Sequence, residues 1–346
     1  MKYPFILVII ACMMLSCGGG SDDFPETNNT VSPPVEREFE WTIDKGLING
    51  SDNPFPLAKD PVMFLAKNVE FLADDILVAA VSLDGEVKIY PYNYLNNFES
   101  VNDRINGKPY AITYCPLTQS ALLINGEYNN DSFILRASGY LLHDNVILKN
   151  EKSDTYWSQM MGQCIKGSYA GEFSETLNFV EMTWKTVKEN FPDAKVFTNS
   201  SVPELQSGST ANKADVKIGD LVYGIIGGNN LSSVNGKTAK VFIYHYDDFG
   251  VSTTLKSVII NNKKTLVIGN KSDHYITSYI NDSNASFEAV QNNFPIVMRD
   301  SDNNQWNVFG QAISGPRQGD QLQSHTGFFA LFWAWGKFYD NFSFDE

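Results

Sequence analysis

Residues 154–171 read DTYWSQMMGQCIKGSYAG, and residues 302–319 read DNNQWNVFGQAISGPRQG. Gly162, Gly167 and Gly171 fall on Gly310, Gly315 and Gly319 at one offset of 148, and Ile165 falls on Ile313 at the same offset. Trp157 and Trp306 differ by 149, so one residue is gained or lost beside them. Downstream the register continues, with Trp184 on Phe332, Val187 on Trp335 and Phe191 on Tyr339. Each match alone is ordinary; three glycines and an isoleucine in one register, with a tryptophan one place from it, imply an internal duplication. Upstream, the stretch from Asn106-Gly107 to Tyr114 echoes that from Asn235-Gly236 to Tyr244, at a shorter offset of 129 for Gly107 and Gly236. The chain therefore reads as two pseudo-repeated β-rich halves, 41–214 and 215–346, packed as one globular body.

The fold class expected is mainly β with a few helices (α+β). Ile76–Ser82, Glu86–Tyr90, Tyr110–Tyr114, Phe133–Ala137 and Asn145–Lys149 are short runs rich in β-formers. Asp84-Gly85, Asn106-Gly107 and Asn125-Gly126 stand among them as tight-turn dipeptides. One helix is expected over Val180–Asn190, stopped by Phe191-Pro192, with a partner over Phe328–Phe338 in the second half. The aromatics of that second segment (Phe328, Phe329, Phe332, Trp333, Trp335, Phe338) read as core packing.

The first residues bear on the compartment. Met1-Lys2 gives a positive start, and Pro4–Leu15 is an apolar run too short to span a bilayer, which needs about 20 residues. Such a run is the core of a signal peptide, here residues 1–16. It ends in Leu15-Ser16-Cys17-Gly18, which resembles the lipobox of bacterial lipoproteins, where the cysteine thiol is acylated and becomes the first mature residue. That resemblance implies a lipid on Cys17, a membrane partner, and a place in the cell envelope on the outer membrane. Residues 17–40 are rich in Gly, Ser, Asn, Pro and acid, the composition of a flexible tether. Ser21-Asp22-Asp23 is similar to the acidic tag of some surface-displayed lipoproteins.

Charge and cysteine usage narrow the classes further. Losing Lys2 leaves 25 basic against 40 acidic side chains, a net charge of about −15. That balance excludes nucleic acid, whose phosphates demand a basic face, and leaves a cation or a neutral ligand such as a small molecule or saccharide open. Cys12 leaves with the signal peptide and Cys17 takes the lipid, so Cys115 and Cys164 remain in the fold, either paired or both free. No Gly-x-Ser-x-Gly elbow and no His-Glu-x-x-His helix occurs. Gly236-Lys237-Thr238 lacks the glycine of a phosphate loop, since Leu231 stands there. His143, His245, His274 and His325 are too scattered for a spaced ligand set, so neither a metal nor a cofactor is expected.

Five segments carry a family resemblance: Tyr90-Pro91, Val101-Asn102-Asp103, Tyr114-Cys115-Pro116-Leu117, Ser138-Gly139 and Trp157-Ser158-Gln159. In this order they resemble the bacterial domain-of-unknown-function family DUF3179, over most of the chain from about residue 60, with the second half more divergent. Family members commonly show a histidine before the glutamate at 99 and a second cysteine at 118. Here Phe98 and Thr118 stand at those places, which weakens any metal or dithiol role. Physical reading of the residues gives Cys115 as a candidate nucleophile, with Glu99, Asp103 and His143 as the groups able to activate it. Asn102, Ser138, Asn145, Trp157 and Gln159 are the candidates for holding an oxygen-rich ligand. The leading expectation is a non-catalytic extracytoplasmic binding or interaction protein; the alternative is a thiol-dependent enzyme or redox protein using Cys115.

Overall fold

The structure is a computed structural model that describes residues 39–198, 220–227 and 239–344. After two short edge pieces, Ile48–Gly50 and Ala58–Lys59, the first half runs through a short strand β1 (Phe64–Leu65), then the hairpin β2 (Leu77–Leu83) and β3 (Glu86–Pro91), and one helical turn α1 (Tyr92–Leu95). A meander follows, β4 (Ser100–Ile105), β5 (Lys108–Cys115) and β6 (Ser120–Asn125). Four more strands come next, β7 (Leu135–Leu142), β8 (Asn145–Asn150), β9 (Tyr156–Ser158) and β10 (Gln163–Lys166). The chain returns through β11 (Val180–Thr183), α2 (Trp184–Asn190) and β12 (Lys195–Val196). The sheet orders are β11-β2-β3-β12-β1, β6-β5-β4 and β7-β8-β9-β10, the last two extended at their edges by short unnumbered pieces.

The second half repeats this order. A hairpin, β13 (Leu221–Gly227) and β14 (Lys240–Tyr244), leads into a 3-10 turn at Tyr246–Asp248 in place of α1. The meander is β15 (Thr254–Ile260), β16 (Lys263–Asn270) and β17 (Tyr275–Ile280). The four-stranded sheet is β18 (Phe287–Ala289), β19 (Ile296–Asp300), β20 (Gln305–Asn307) and β21 (Ala312–Ser314). The return is β22 (Gly327–Leu331), α3 (Phe332–Phe338) and β23 (Asn341–Phe344). Pairing repeats too. β11 and β22 run antiparallel to β2 and β13, while β12 and β23 run parallel to β3 and β14.

The offset of 148 holds at the level of single hydrogen bonds. Cys164 N–H donates to Glu172 O at 2.8 Å and Ala312 N–H to Asp320 O at 2.9 Å. Ser174 N–H donates to Gly162 O at 2.8 Å and Leu322 N–H to Gly310 O at 2.9 Å. A register shift interrupts the ladder beside Trp157 and again beside Trp306, where the sequence offset changes by one. The echo at offset 129, in contrast, joins unlike elements: β5 corresponds to β16, and β14 corresponds to β3. The counterpart of the Asn106-Gly107 turn is Asn261-Asn262, and Asn235-Gly236 lies outside the described residues.

Asp84-Gly85 and Asn106-Gly107 make the turns expected of them, with φ positive at both central residues. Asn125-Gly126 does not. That turn falls at Asn129-Asn130, and Gly126 lies so close to Pro109 that a Cβ would sit 2.6 Å from its carbonyl carbon. The helices are shorter than expected, because Val180–Thr183 and Gly327–Leu331 are strands bonded to β2 and β13. An apolar run buried on all sides reads alike as strand or helix until its partner is known.

Phe39–Glu346 forms one compact unit. Its halves clasp each other reciprocally: β6 packs on β22, and β17 packs on β11. Tyr339, after α3, donates its hydroxyl to Met160 O at 3.0 Å in the first half. Its counterpart Phe191, after α2, packs on Phe309 in the second, with ring centroids 5.5 Å apart. Both hydrophobic clusters draw side chains from both halves, so neither half buries its own apolar surface alone. The expected division at 214/215, the signal peptide, Cys17 and the tether to residue 38 lie outside the described residues.

Candidate functional site

Cys115 ends β5 and is 1 % exposed. Its thiol donates to Asp144 O at 3.6 Å, and burial, then the charge of Glu99, pushes it above the ordinary thiol range. Burial pushes the Cys164 thiol up to about 12, and both cysteines are free. Activation of a thiol needs the opposite surroundings, partly open and electropositive. Glu99 does lie beside Cys115, with Glu99 O accepting from Tyr114 N–H at 2.9 Å. Burial pushes its carboxyl up to about 7. His143 and Asp144 form the turn between β7 and β8, at φ 49° and 62°, and the His143 ring meets Phe338 edge-on at 5.5 Å.

Asp103 is elsewhere. It pairs across β5 with Tyr110, five residues from Cys115, or roughly 16 Å along a strand. Lys88 Nζ donates to both of its oxygens at 2.9 Å, and the Tyr90 hydroxyl donates to Oδ2 at 2.7 Å. The Tyr110 hydroxyl lies 2.6 Å from that of Tyr90. This buried ion pair is matched by donors on every side, the condition under which a buried charge is tolerated.

The ligand candidates are likewise engaged within the protein. Asn145 Nδ2 lies 3.0 Å from Thr118 Oγ1, 3.1 Å from Ser120 Oγ and 2.8 Å from Gln159 Oε1. Gln159 Nε2 donates to Thr113 Oγ1 at 3.0 Å, and Met160 N–H donates to Asn145 Oδ1 at 3.2 Å. The network is buried and ties β5 and β6 to β8 and β9. Asn102 joins β4 to β7, donating to Leu135 O at 2.8 Å and accepting from Leu135 N–H at 2.8 Å. Ser138 donates to Ile147 O at 2.6 Å across β7 and β8. Asn102, Asn145 and Gln159 are polar ties between sheets, Ser138 ties two strands of one sheet, and none of the four faces solvent.

Trp157 leads to a site that no residue spacing indicated. Buried itself, it backs Tyr128 at 5.1 Å between ring centroids, and Tyr128 meets Tyr169 at 4.9 Å. These two tyrosines line a cleft of about 380 Å³ with Asp131, Ser132, Asn150, Lys152 and Ser153. That volume falls in the range of small-molecule sites. A chain of hydrogen bonds links its lining to Trp157. Trp157 Nε1 donates to Thr155 Oγ1 at 3.0 Å, Thr155 and Ser153 hydroxyls lie 2.8 Å apart, and Asn150 Nδ2 donates to Ser153 Oγ at 2.9 Å. Asn150 Oδ1 accepts from Lys152 N–H at 3.1 Å, fixing the turn that carries Lys152.

The second half has a cleft of about 350 Å³ at the corresponding turn, where Asp300 replaces Asn150. Its chemistry differs. Arg299 and Glu288 pair with each other there. Burial pushes the Asp300 carboxyl up, but donors on Asn304 and Trp306 outweigh it and hold the group below its ordinary value.

One acid was also missed. Glu181 on β11 is buried at the junction of the halves and accepts from Tyr92 at 2.7 Å and from Tyr246 at 3.3 Å. Tyr92 and Tyr246 are repeat-related, each just beyond the hairpin of its half. Burial outweighs their donation and pushes Glu181 up to about 7. A lone glutamate inside Phe179-Val180-Glu181-Met182 is the signal that points to it. Among the described residues, no group of three or more His, Cys, Asp and Glu side chains converges to hold a metal, and no helix is long and apolar enough to cross a membrane.

Fold and site thus define a duplicated, β-rich body whose buried ion pair and aromatic cleft lie in its first half. A family model described as "Protein of unknown function (DUF3179)" matches residues 52–207, and the chain resembles that family over this span. No curated protein and no solved structure matches the chain.

Proposed function

We propose that this chain is an extracytoplasmic lipoprotein, held on the outer membrane by lipid on Cys17, that binds a small hydroxyl-rich ligand of the saccharide class without turning it over. The observation that carries the reading is the Tyr128–Tyr169 cleft with its bonded floor. Aromatic rings take the apolar faces of a sugar, and Asp131, Ser132, Lys152 and Ser153 supply donors and acceptors for its hydroxyls. A pre-ordered floor lowers the entropy lost on binding. A thiol-dependent reaction at Cys115 draws less support, because the sulfur is enclosed and kept protonated.

The test is saturation-transfer NMR on the mature protein with a panel of neutral and acidic mono- to trisaccharides. Binding that is lost in Tyr128→Ala, with unchanged thermal unfolding and no new products, supports the reading. Absence of contact with every saccharide overturns the ligand class, and product formation overturns the non-catalytic role. Intact mass of membrane-extracted protein tests the anchor separately: an unmodified Cys17 removes it.

A further inference from the structure

The turn that carries Lys152 is built twice. In the first half Asn150 Oδ1 accepts from Lys152 N–H at 3.1 Å, and Asn150 O accepts from Ser153 N–H at 3.4 Å. In the second half Asp300 Oδ1 accepts from Asp302 N–H, and Asp300 O accepts from Asn303 N–H, both at 3.0 Å. Lys152 thus stands where the repeat has Asp302, and the same turn closes around an acid. Its backbone does not ask for an ammonium. The offset of 148 carries Tyr169 onto Arg317, whose guanidinium lies 4.8 Å from the centre of the Trp306 ring. In the second cleft Glu288 and Arg299 neutralise each other. The two copies share a frame and differ in the charges they present.

Two charges in the first cleft are left over. Among the described basic side chains of the first half, all except Lys152 and Lys185 lie against a carboxylate or an aromatic ring. Lys152 lines the cleft, and its amine pairs with no described residue. Asp131 lines it too. The Asp131 backbone pairs with Tyr128 in a short hairpin, while its carboxylate takes no bond from a described residue, Lys152 included. Tyr128 is held from behind, because its hydroxyl donates to Glu172. The cleft therefore offers aromatic faces, an uncommitted ammonium and an uncommitted carboxylate.

We infer that the ligand of this cleft is zwitterionic: a sugar that carries both an amine and an acid group, its ammonium on Asp131 and its anion on Lys152. This rests on the saccharide reading of the same cleft and narrows it. A purely acidic sugar meets the Asp131 carboxylate with like charge, and a purely basic one meets Lys152 the same way. A neutral sugar stacked on the tyrosines takes water from both charges and returns no counter-charge to either. A ligand with both charges leaves neither unmatched.

The experiment titrates the full mature chain at neutral pH by saturation-transfer NMR with four probes: muramic acid (both charges), N-acetylmuramic acid (anion alone), glucosamine (cation alone) and N-acetylglucosamine (neither). Two exposed charge pairs are each modest, so muramic acid should bind about tenfold more tightly than the best of the other three. Lys152→Gln should bring muramic acid to the level of glucosamine, and Asp131→Asn to that of N-acetylmuramic acid, with thermal unfolding unchanged in both. Equal affinity for the four probes overturns the inference and leaves the saccharide reading standing. A singly charged probe that binds as tightly as muramic acid, or a muramic acid preference that survives both variants, overturns it likewise. Absence of binding by all four overturns the inference together with the reading beneath it.

Discussion

Replacing Glu181 by glutamine should change the pH dependence of stability in one direction only. In the folded protein burial pushes the Glu181 carboxyl up from its ordinary 4.5 to about 7, against the two tyrosine hydroxyls that donate to it. The folded state therefore holds this proton more tightly than the unfolded chain does. Its contribution is fully present below about pH 4.5, and it is lost as the pH rises through about 7. Above that, ionising the carboxyl inside the protein costs about 3 kcal/mol, at roughly 1.4 kcal/mol for each pH interval between the two values. Glutamine has the same shape and keeps one acceptor and one donor for the tyrosines. Glu181→Gln should match the native protein at pH 4.5 and exceed it by about 3 kcal/mol at pH 8.5. Urea unfolding at several pH values, with the slope m held common, measures the difference. Glu99, also raised to about 7 by burial, adds a second loss of the same sign, so the single variant still declines with pH. Two stability curves that stay parallel from pH 4.5 to 8.5, or a variant weaker at pH 8.5, would refute the reasoning.

Two further outcomes follow from the geometry. Cys115 and Cys164 should both remain unpaired, and in the native protein at neutral pH they should alkylate at least about a hundredfold more slowly than in urea; intact-mass kinetics would expose a reactive thiolate as rapid labelling below pH 7. Gly167→Ala and Gly315→Ala should each cost about 2–4 kcal/mol, because the new Cβ lands 2.2 Å from Asp154 O and 2.5 Å from Asn304 Oδ1 at positive φ. Gly171→Ala and Gly319→Ala, where nothing lies within 4 Å, should cost only about 1–2 kcal/mol, and denaturation of the four variants decides whether clash or backbone strain dominates.

Much of the architecture was legible because duplication writes it twice. Gly162, Gly167 and Gly171 hold positive φ at 60°, 108° and 96°, and Gly310, Gly315 and Gly319 at 75°, 93° and 96°. A backbone that only glycine adopts easily leaves its mark in the sequence. Turns with two positive φ values were legible for the same reason at Asp84-Gly85 and Asn106-Gly107. Boundaries within buried apolar runs were not, since Val180–Thr183 is a strand only through its bonds to β2. Of the candidate site, residue type was legible and direction was not. Asn102, Asn145 and Gln159 reach across to a neighbouring sheet, and Ser138 bonds back to the next strand of its own sheet. Tyr128 and Tyr169, far apart in sequence, carry no spacing that would announce a shared cleft.

The second half also explains why the Cys115 corner is closed. Cys115 packs in one cluster with Val222, Ile226, Phe328, Trp335 and Phe338, all from the second half. Leu331 bonds to Thr118 on the turn just after Cys115, and Phe338 meets the ring of His143. The residues that the first half would otherwise turn toward solvent at this corner are thus covered by β22 and α3. The cover is reciprocal in form, since Phe191 after α2 packs on Phe294, in the turn between β18 and β19 that matches the His143-Asp144 turn. The chemistry is not reciprocal. Lys88, which neutralises Asp103, falls on Phe242 in the repeat, and Glu181 falls on Phe329. The second copy thus has apolar rings where the first keeps a buried lysine and a buried acid. Sealing in turn raises the Cys115 thiol and the Glu99 carboxyl, by removing water from both. The cleft at Tyr128 and Tyr169 is lined by first-half residues alone and stays open.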